Sequence, residues 1–435
     1  MKPTSRLISW ALVLCMLISL AGCSSGKKAA ASDPDSGSTE AESAGKELIC
    51  VDLMQNIQAS VKPEARDLTA EEKTRITDFA VHLLTASRNA SDNNLVSPLS
   101  VLCALSMTAN GAKGETLQQM ETVLGLPVED LNACMAWYLA HLSQAGGGQL
   151  FPANSIWFSD RNGFVPNRAF LETNAAYYGA DAYSLPFDKA ACSRINEWVS
   201  RKTDGMIPQL IDEIPQEAVM YLINALAFEA EWENPYRSNQ QSTGEFIRED
   251  GTADTAEFLS GTEGCYLSDE HATGFIKYYQ DRSFAFVALL PNEDVSLHDY
   301  LESLDGAHFQ KLLADCEETS VRTMLPKFHV SWKAELSAVL RQLGMTLAFD
   351  PEHADLSALG TADGNLYISR VLHQTDLSLT EKGTKASAAT SVEISGKGVH
   401  FVEKEVLLNR PFVYFLIDCE TGIPFFAGTL EKINP

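Results

Sequence analysis

Apolar side chains recur every three or four positions through the first half of the chain and gather into short dense runs in the second. Thr69-Ala70-Glu71-Glu72 has the spacing of a capping box, and Ile76, Phe79, Ala80, Leu83 and Leu84 follow on one face, which predicts a first helix. Ser97-Pro98 sets a hydroxyl cap before a proline at a first helical turn, so a second helix is expected over Leu99 to Ala109, stopped by Asn110-Gly111. Helical spacing returns over Glu115 to Leu124, Asn167 to Tyr178 and Ala190 to Lys202, with a glycine loop at Gly146-Gly147-Gly148 and a strand at Asn154 to Phe158.

The character then changes. Val219 to Phe228, Phe275 to Tyr279, Phe284 to Leu290, Val321 to Val330, Tyr367 to Leu379, Phe412 to Ile417 and Pro424 to Leu430 read as strands, with helices around Leu297 to Leu313 and Ala334 to Leu343. Helices crowd one half and strands the other without strict alternation, so the fold class is α+β with mainly antiparallel sheets. One segment fits neither pattern. Glu381 to Lys404 is rich in Gly, Ser, Thr and Ala, lies between two strong strand candidates, and is too long to be an idle connection. Its small side chains would let it lie against neighbouring strands, which makes it a loop that could become a strand.

The start of the chain is a processing segment. Lys2 and Arg6 precede an apolar run from Leu7 to Leu20 that is too short for a comfortable permanent span, so residues 1–22 read as a secretory signal. Leu20-Ala21-Gly22-Cys23 resembles the bacterial lipobox, which implies lipidation at Cys23 and a membrane contact through that anchor alone. A Ser/Gly/Ala/Asp-rich tether and lead-in follow over residues 23–65, and a single domain is expected over 66–435. An extracellular or cell-surface protein on a bacterial membrane is the expectation.

Composition narrows the chemistry. The chain has 435 residues, 45% of them hydrophobic and 21% charged, enough to bury a large core, and a formal net charge of −25. Removing Lys2 and Arg6 with the signal takes the charge from −25 to −27, which argues against nucleic-acid partners. Cys50, Cys103, Cys134, Cys192, Cys265, Cys316 and Cys419 remain after Cys15 and Cys23, without a CxxC pair. A zinc site and a dense disulfide framework are therefore not expected, although one or two disulfides are compatible with the count. No Gly-x-Ser-x-Gly, HExxH or P-loop pattern occurs, so neither enzyme chemistry, a metal nor a cofactor is indicated.

Glu381-Lys382-Gly383-Thr384-Lys385-Ala386-Ser387-Ala388-Ala389-Thr390 is similar to the hinge of the serpin family. Further serpin-like stretches run through the body: Asn94 to Ser100, Leu222-Ile223-Asn224-Ala225 leading to Trp232, Leu325-Pro326-Lys327-Phe328, Leu343-Gly344-Met345, Ala354 to Ser357, His373, Arg410-Pro411-Phe412 and Phe426-Ala427-Gly428. The chain thus resembles a serpin. That resemblance implies three mainly antiparallel sheets, eight to nine helices, an exposed reactive loop at about 381–404, and a monomer. It implies an irreversible suicide inhibitor of serine proteases, with cysteine proteases a further target class and no catalytic residue of its own. A non-inhibitory serpin serving as a surface binding or adhesion protein is the alternative.

The resemblance also assigns residues. It places Glu381, Gly383, Thr384, Ala386, Ser387, Ala388, Ala389 and Thr390 in the hinge, Ser97, Ser100, Asn224 and His373 in the shutter beneath the opening sheet, and Trp232 at the breach where the hinge enters. Lys385 stands where the family usually has glutamate, at a position expected to face solvent. Counting seventeen residues from Glu381 puts the reactive bond between Lys397 and Gly398, which suits a trypsin-like protease; cleavage after Ile394 or Val399 would suit an elastase-like one.

Overall fold

The computed structural model describes residues 50–57, 66–146, 148–160, 163–214, 218, 220–384 and 404–433. Around its first predicted start signal the chain behaves as the pattern requires. Thr69 caps the helix Ala70–Ser87 in a two-way capping box with Glu72, and Ile76, Phe79, Ala80, Leu83 and Leu84 are buried. Asn167 and Asp188 likewise cap the helices Arg168–Tyr178 and Lys189–Lys202.

Nine α-helices and three sheets make up the described residues, an α+β arrangement in which strands pair mostly antiparallel. The central sheet runs in the order Val51–Asp52, Asp181–Leu185, Gln149–Ser159, Met220–Glu231, Gly383–Thr384, Arg370–Leu379 and Phe328–Glu335. A nine-stranded sheet begins at Lys404–Leu407, passes through Glu317–Pro326 and Ala253–Ser268, and continues to the strands Phe412–Asp418, Pro424–Leu430 and Asn94–Val96. The third sheet pairs Val165–Pro166 with Gly360–Thr361. Phe228, Phe284 and Phe425 meet edge to face at 5.0 to 5.4 Å in the core where the two large sheets approach.

Three sequence expectations are corrected, and two elements were not anticipated. The run Val321 to Val330 is two strands, Glu317–Pro326 and Phe328–Glu335, which belong to different sheets. Lys327 turns the chain between them, its N–H donating to Glu257 O at 2.8 Å. The helix expected around Leu297 to Leu313 is two, Leu297–Ser303 and Gly306–Ala314, because Asp305 caps a new start through His308 N at 2.7 Å. The helix Val128–Leu142 and the hairpin of Gln241–Ile247 with Ala253–Ser268 were not anticipated. Finally, Ser97 makes no side-chain cap: its hydroxyl donates to Phe425 O at 2.9 Å.

Cys265 and Cys316 form a disulfide, and Cys50, Cys103, Cys134, Cys192 and Cys419 are free. Burial pushes the Cys103 thiol up to about 12, as expected of a cysteine used as a small hydrophobe.

Candidate functional site

The central sheet is split. Met220–Glu231 and Arg370–Leu379 lie parallel and directly paired from Tyr221↔Arg370 to Ala225↔Gln374, then part. Gly383–Thr384 enters the widened end antiparallel to both, Thr384 standing opposite Ala230 on one wall and Leu379 on the other. Only glycine fits at 383. Its φ is +155°, and a Cβ there would meet Ala230 O at 2.1 Å.

Aromatic and polar groups grip this entry. Thr384 is fully buried, and its hydroxyl lies 2.5 Å from the phenolic oxygen of Tyr279. Trp232 stacks on Tyr279 at 4.3 Å, donates its indole N–H to Thr380 O at 3.0 Å, and donates its backbone N–H to Lys382 O at 2.8 Å. Tyr236 N–H donates to Glu381 O at 2.8 Å. Lys327 bridges Glu381 at 3.1 Å and Glu257 at 3.0 Å. The Glu381 carboxyl is held below the usual range by a backbone hydrogen bond, with Lys327 adding to it against the effect of burial. Tyr279 and Thr380 escaped the sequence reading because nothing in a strand-end aromatic or an isolated threonine announces a partner more than 100 residues away.

The closed end is built from polar groups in an apolar setting. His373 is buried, and its Nε2 accepts the Ser97 N–H at 2.9 Å, so the proton of the neutral ring sits on Nδ1. Burial alone depresses its pKa to about 3. Ser97 and Ser100 sit together at the start of the buried helix Pro98–Ala109, and the backbone of Asn224 pairs with that of His373 across the two walls. Thr375 ties the wall to the strand beneath through Leu95 O at 2.7 Å. Ser97 thus contributes its backbone N–H to His373 and its hydroxyl to Phe425 O.

Of the other assigned residues, Ala386, Ser387, Ala388, Ala389, Thr390, Lys397, Gly398 and Cys23 lie outside the described residues, as does Lys385. Beyond them Lys404–Leu407 pairs parallel with Glu317–Pro326. Lys404 Nζ lies 3.3 Å from Glu317 and 4.8 Å from the centre of the Tyr266 ring, and Arg322 pairs with Glu405 at 2.6 Å. The reactive-loop candidate is therefore held at both ends, in different sheets.

Comparison with known proteins agrees with this geometry. The family model described as Serpin (serine protease inhibitor) matches residues 74–433. Alpha-2-antiplasmin of Bos taurus is 30% identical over 389 residues, covering 88% of this chain and 75% of its own. The solved structure of tengpin, a thermophilic serpin, in the native state matches at 42% identity with a TM-score of 0.84, over 88% of this chain and 100% of its own. Its latent-state structure matches at 41% identity with a lower TM-score of 0.76, over 85% of this chain and 100% of its own.

Proposed function

The chain belongs to the serpin family, serine protease inhibitors, and from that premise we propose that it is a suicide inhibitor that traps a serine protease as an acyl-enzyme by drawing its cleaved loop into the central sheet. Loop insertion is a recognised serpin behaviour, one form of strand addition. Register is the observation that carries the reading here. Antiparallel counting from Thr384 opposite Ala230 and Leu379 brings Thr390 opposite Asn224 on one wall and His373 on the other, and those two residues already face each other. An entering strand therefore finds both walls in one register, and neither has to slip.

Alternation supports the same path. With Thr384 pointing inward, a continued strand would turn Ala386, Ala388, Thr390, Val392 and Ile394 to the core and Lys385, Ser387, Ala389, Ser391 and Glu393 away from it. The inward set is small or apolar throughout. Glu393 would come opposite Arg370, a cation at the far end of the slot. About a dozen net ladder bonds at ~1 kcal/mol each would stabilise the inserted form on the order of 10 kcal/mol. The acyl-enzyme at Lys397, three residues past the slot, would be carried to the opposite end of the sheet, and a lysine there favours a trypsin-like target over an elastase-like one. We place the protein outside a bacterial cell on a lipid at Cys23, a reading supported by the sequence before and after that residue.

The test is to mix the chain with trypsin-like and elastase-like proteases and resolve the products by denaturing gel and mass spectrometry. A covalent complex that releases a peptide starting at Gly398 is the expected result. Complete loop cleavage with full protease activity would overturn inhibition and favour the binding-protein alternative. Mass spectrometry of the N-terminal peptide from a bacterial membrane fraction checks the anchor, since an unmodified Cys23 thiol would exclude it.

A further inference from the structure

The disulfide stands beside the trailing anchor of the reactive loop. Cys265 is buried in the strand Ala253–Ser268, with Glu318 as its ladder partner, and half-buried Cys316 immediately precedes the strand Glu317–Pro326. The ladder is irregular between Glu318 and Val321, and Val321 is the first residue to take Lys404 as a neighbour on its other side. Lys404 is in turn held by Glu317 and by Tyr266, the residues directly beside the two bridged cysteines. The bridge thus ties together the short end of the ladder beyond the irregularity, Tyr266↔Glu317 and Cys265↔Glu318, whose Glu317 and Tyr266 hold the Lys404 side chain.

That seat is otherwise weak. Lys404–Leu407 has four residues, lies at the end of the sheet and pairs with a single parallel neighbour. Its attachment matters because of chain length. Were the uncleaved loop to fill the slot from Thr384 to Ile394, ten Cα steps would remain to reach Lys404, at most about 36 Å. The slot itself would be about 33 Å long, so almost nothing is left to round the edge of the sheet and cross to the other one. Insertion without cleavage therefore requires the trailing strand to leave its place, whereas insertion after cleavage does not.

We propose that the Cys265–Cys316 disulfide is a redox latch: intact, it keeps Lys404–Leu407 docked and the uncleaved loop outside the sheet, and its reduction lets the protein inactivate itself by insertion. A thiolate of an external dithiol attacks the more exposed Cys316 sulfur, and Cys265 leaves as a thiolate and is protonated. The second thiol of the reductant resolves the mixed disulfide, giving two cysteine thiols and one oxidised reductant. The inference rests on the insertion reading above and adds the condition under which insertion proceeds without a protease.

Folded, uncleaved protein incubated with and without dithiothreitol provides the test, read as loss of loop cleavage by a probe protease and gain of thermal stability with the chain still intact. Reduction should speed this conversion roughly tenfold or more, as expected when a cross-link is lost. Lys404→Gln should speed it with the bridge still oxidised. Equal rates with and without the bridge, in protein whose melting temperature still rises on loop cleavage, would overturn the latch alone. A melting temperature unmoved by loop cleavage would overturn the insertion reading and the latch with it.

Discussion

The two ends of the slot in the central sheet are held by different physics. At the open end the walls are separated and the entering Gly383–Thr384 is gripped by Trp232, Tyr279 and backbone donors. At the closed end the walls hydrogen-bond to each other from Arg370 to Gln374, and the buried neutral His373 among them accepts a hydrogen bond from the Ser97 N–H beneath. The open end is a seat already taken by Gly383–Thr384; the closed end is a paired ladder. On the proposed insertion mechanism, the first decides whether a strand can start to enter, and the second sets how hard it is to continue.

The comparison is broken most severely at its first residue. Thr384→Arg would force a cation into a fully buried position between the walls, a cost of several kcal/mol. Covalent complex should fall by about a hundredfold or more, with the loop cut as a plain substrate. Denaturing gels of a protease titration check this, and undiminished complex would mean that the strand does not enter here. Next is Trp232→Ala, which removes the stacking on Tyr279 and the bond to Thr380 O; unfolding should show a loss of about 3–5 kcal/mol, as for other buried tryptophans.

The closed end is probed by pH. Unfolded His373 takes a proton near 6.5, while the folded protein holds it neutral down to about 3. Below pH 6.5 protons therefore bind the unfolded chain preferentially, so the contribution of this residue to stability is complete above 6.5 and falls by about 1.4 kcal/mol per pH unit toward 3. Denaturant unfolding at pH 6.5 and 5 should show about 2 kcal/mol more loss in the parent than in His373→Asn. Equal slopes would put the imidazole in contact with water. The smallest effect is expected at the rim of the open end, where Glu381 is about a third exposed. Glu381→Gln should cost about 0.5–1 kcal/mol at neutral pH, and the difference should fade as acid titrates the parent carboxylate below its ordinary range.

Much of this was legible in advance. The capping box at Thr69, the helices over Asn167 to Tyr178 and Ala190 to Lys202, and the strands at Phe412 and Pro424 were visible because local spacing decides them. The segment from Glu381 to Lys404 stood out for a different reason: a long stretch of small residues between strong strands has no place in an ordinary core. The division of Val321 to Val330 between two sheets was not legible, because both halves are equally apolar and only their distant partners differ.

The sequence by itself determined the helical and strand character of most segments, the family resemblance, and the small residues of Glu381 to Thr390 on which the insertion proposal rests. Tertiary structure decided that the strand has already begun to enter, that Tyr279 and Lys327 receive it, and that Cys265 and Cys316 meet beside Lys404. These are pairings across tens to more than a hundred residues, and no local pattern encodes them: each follows from burying the faces of two large sheets together and satisfying the backbone groups that the burial removes from water.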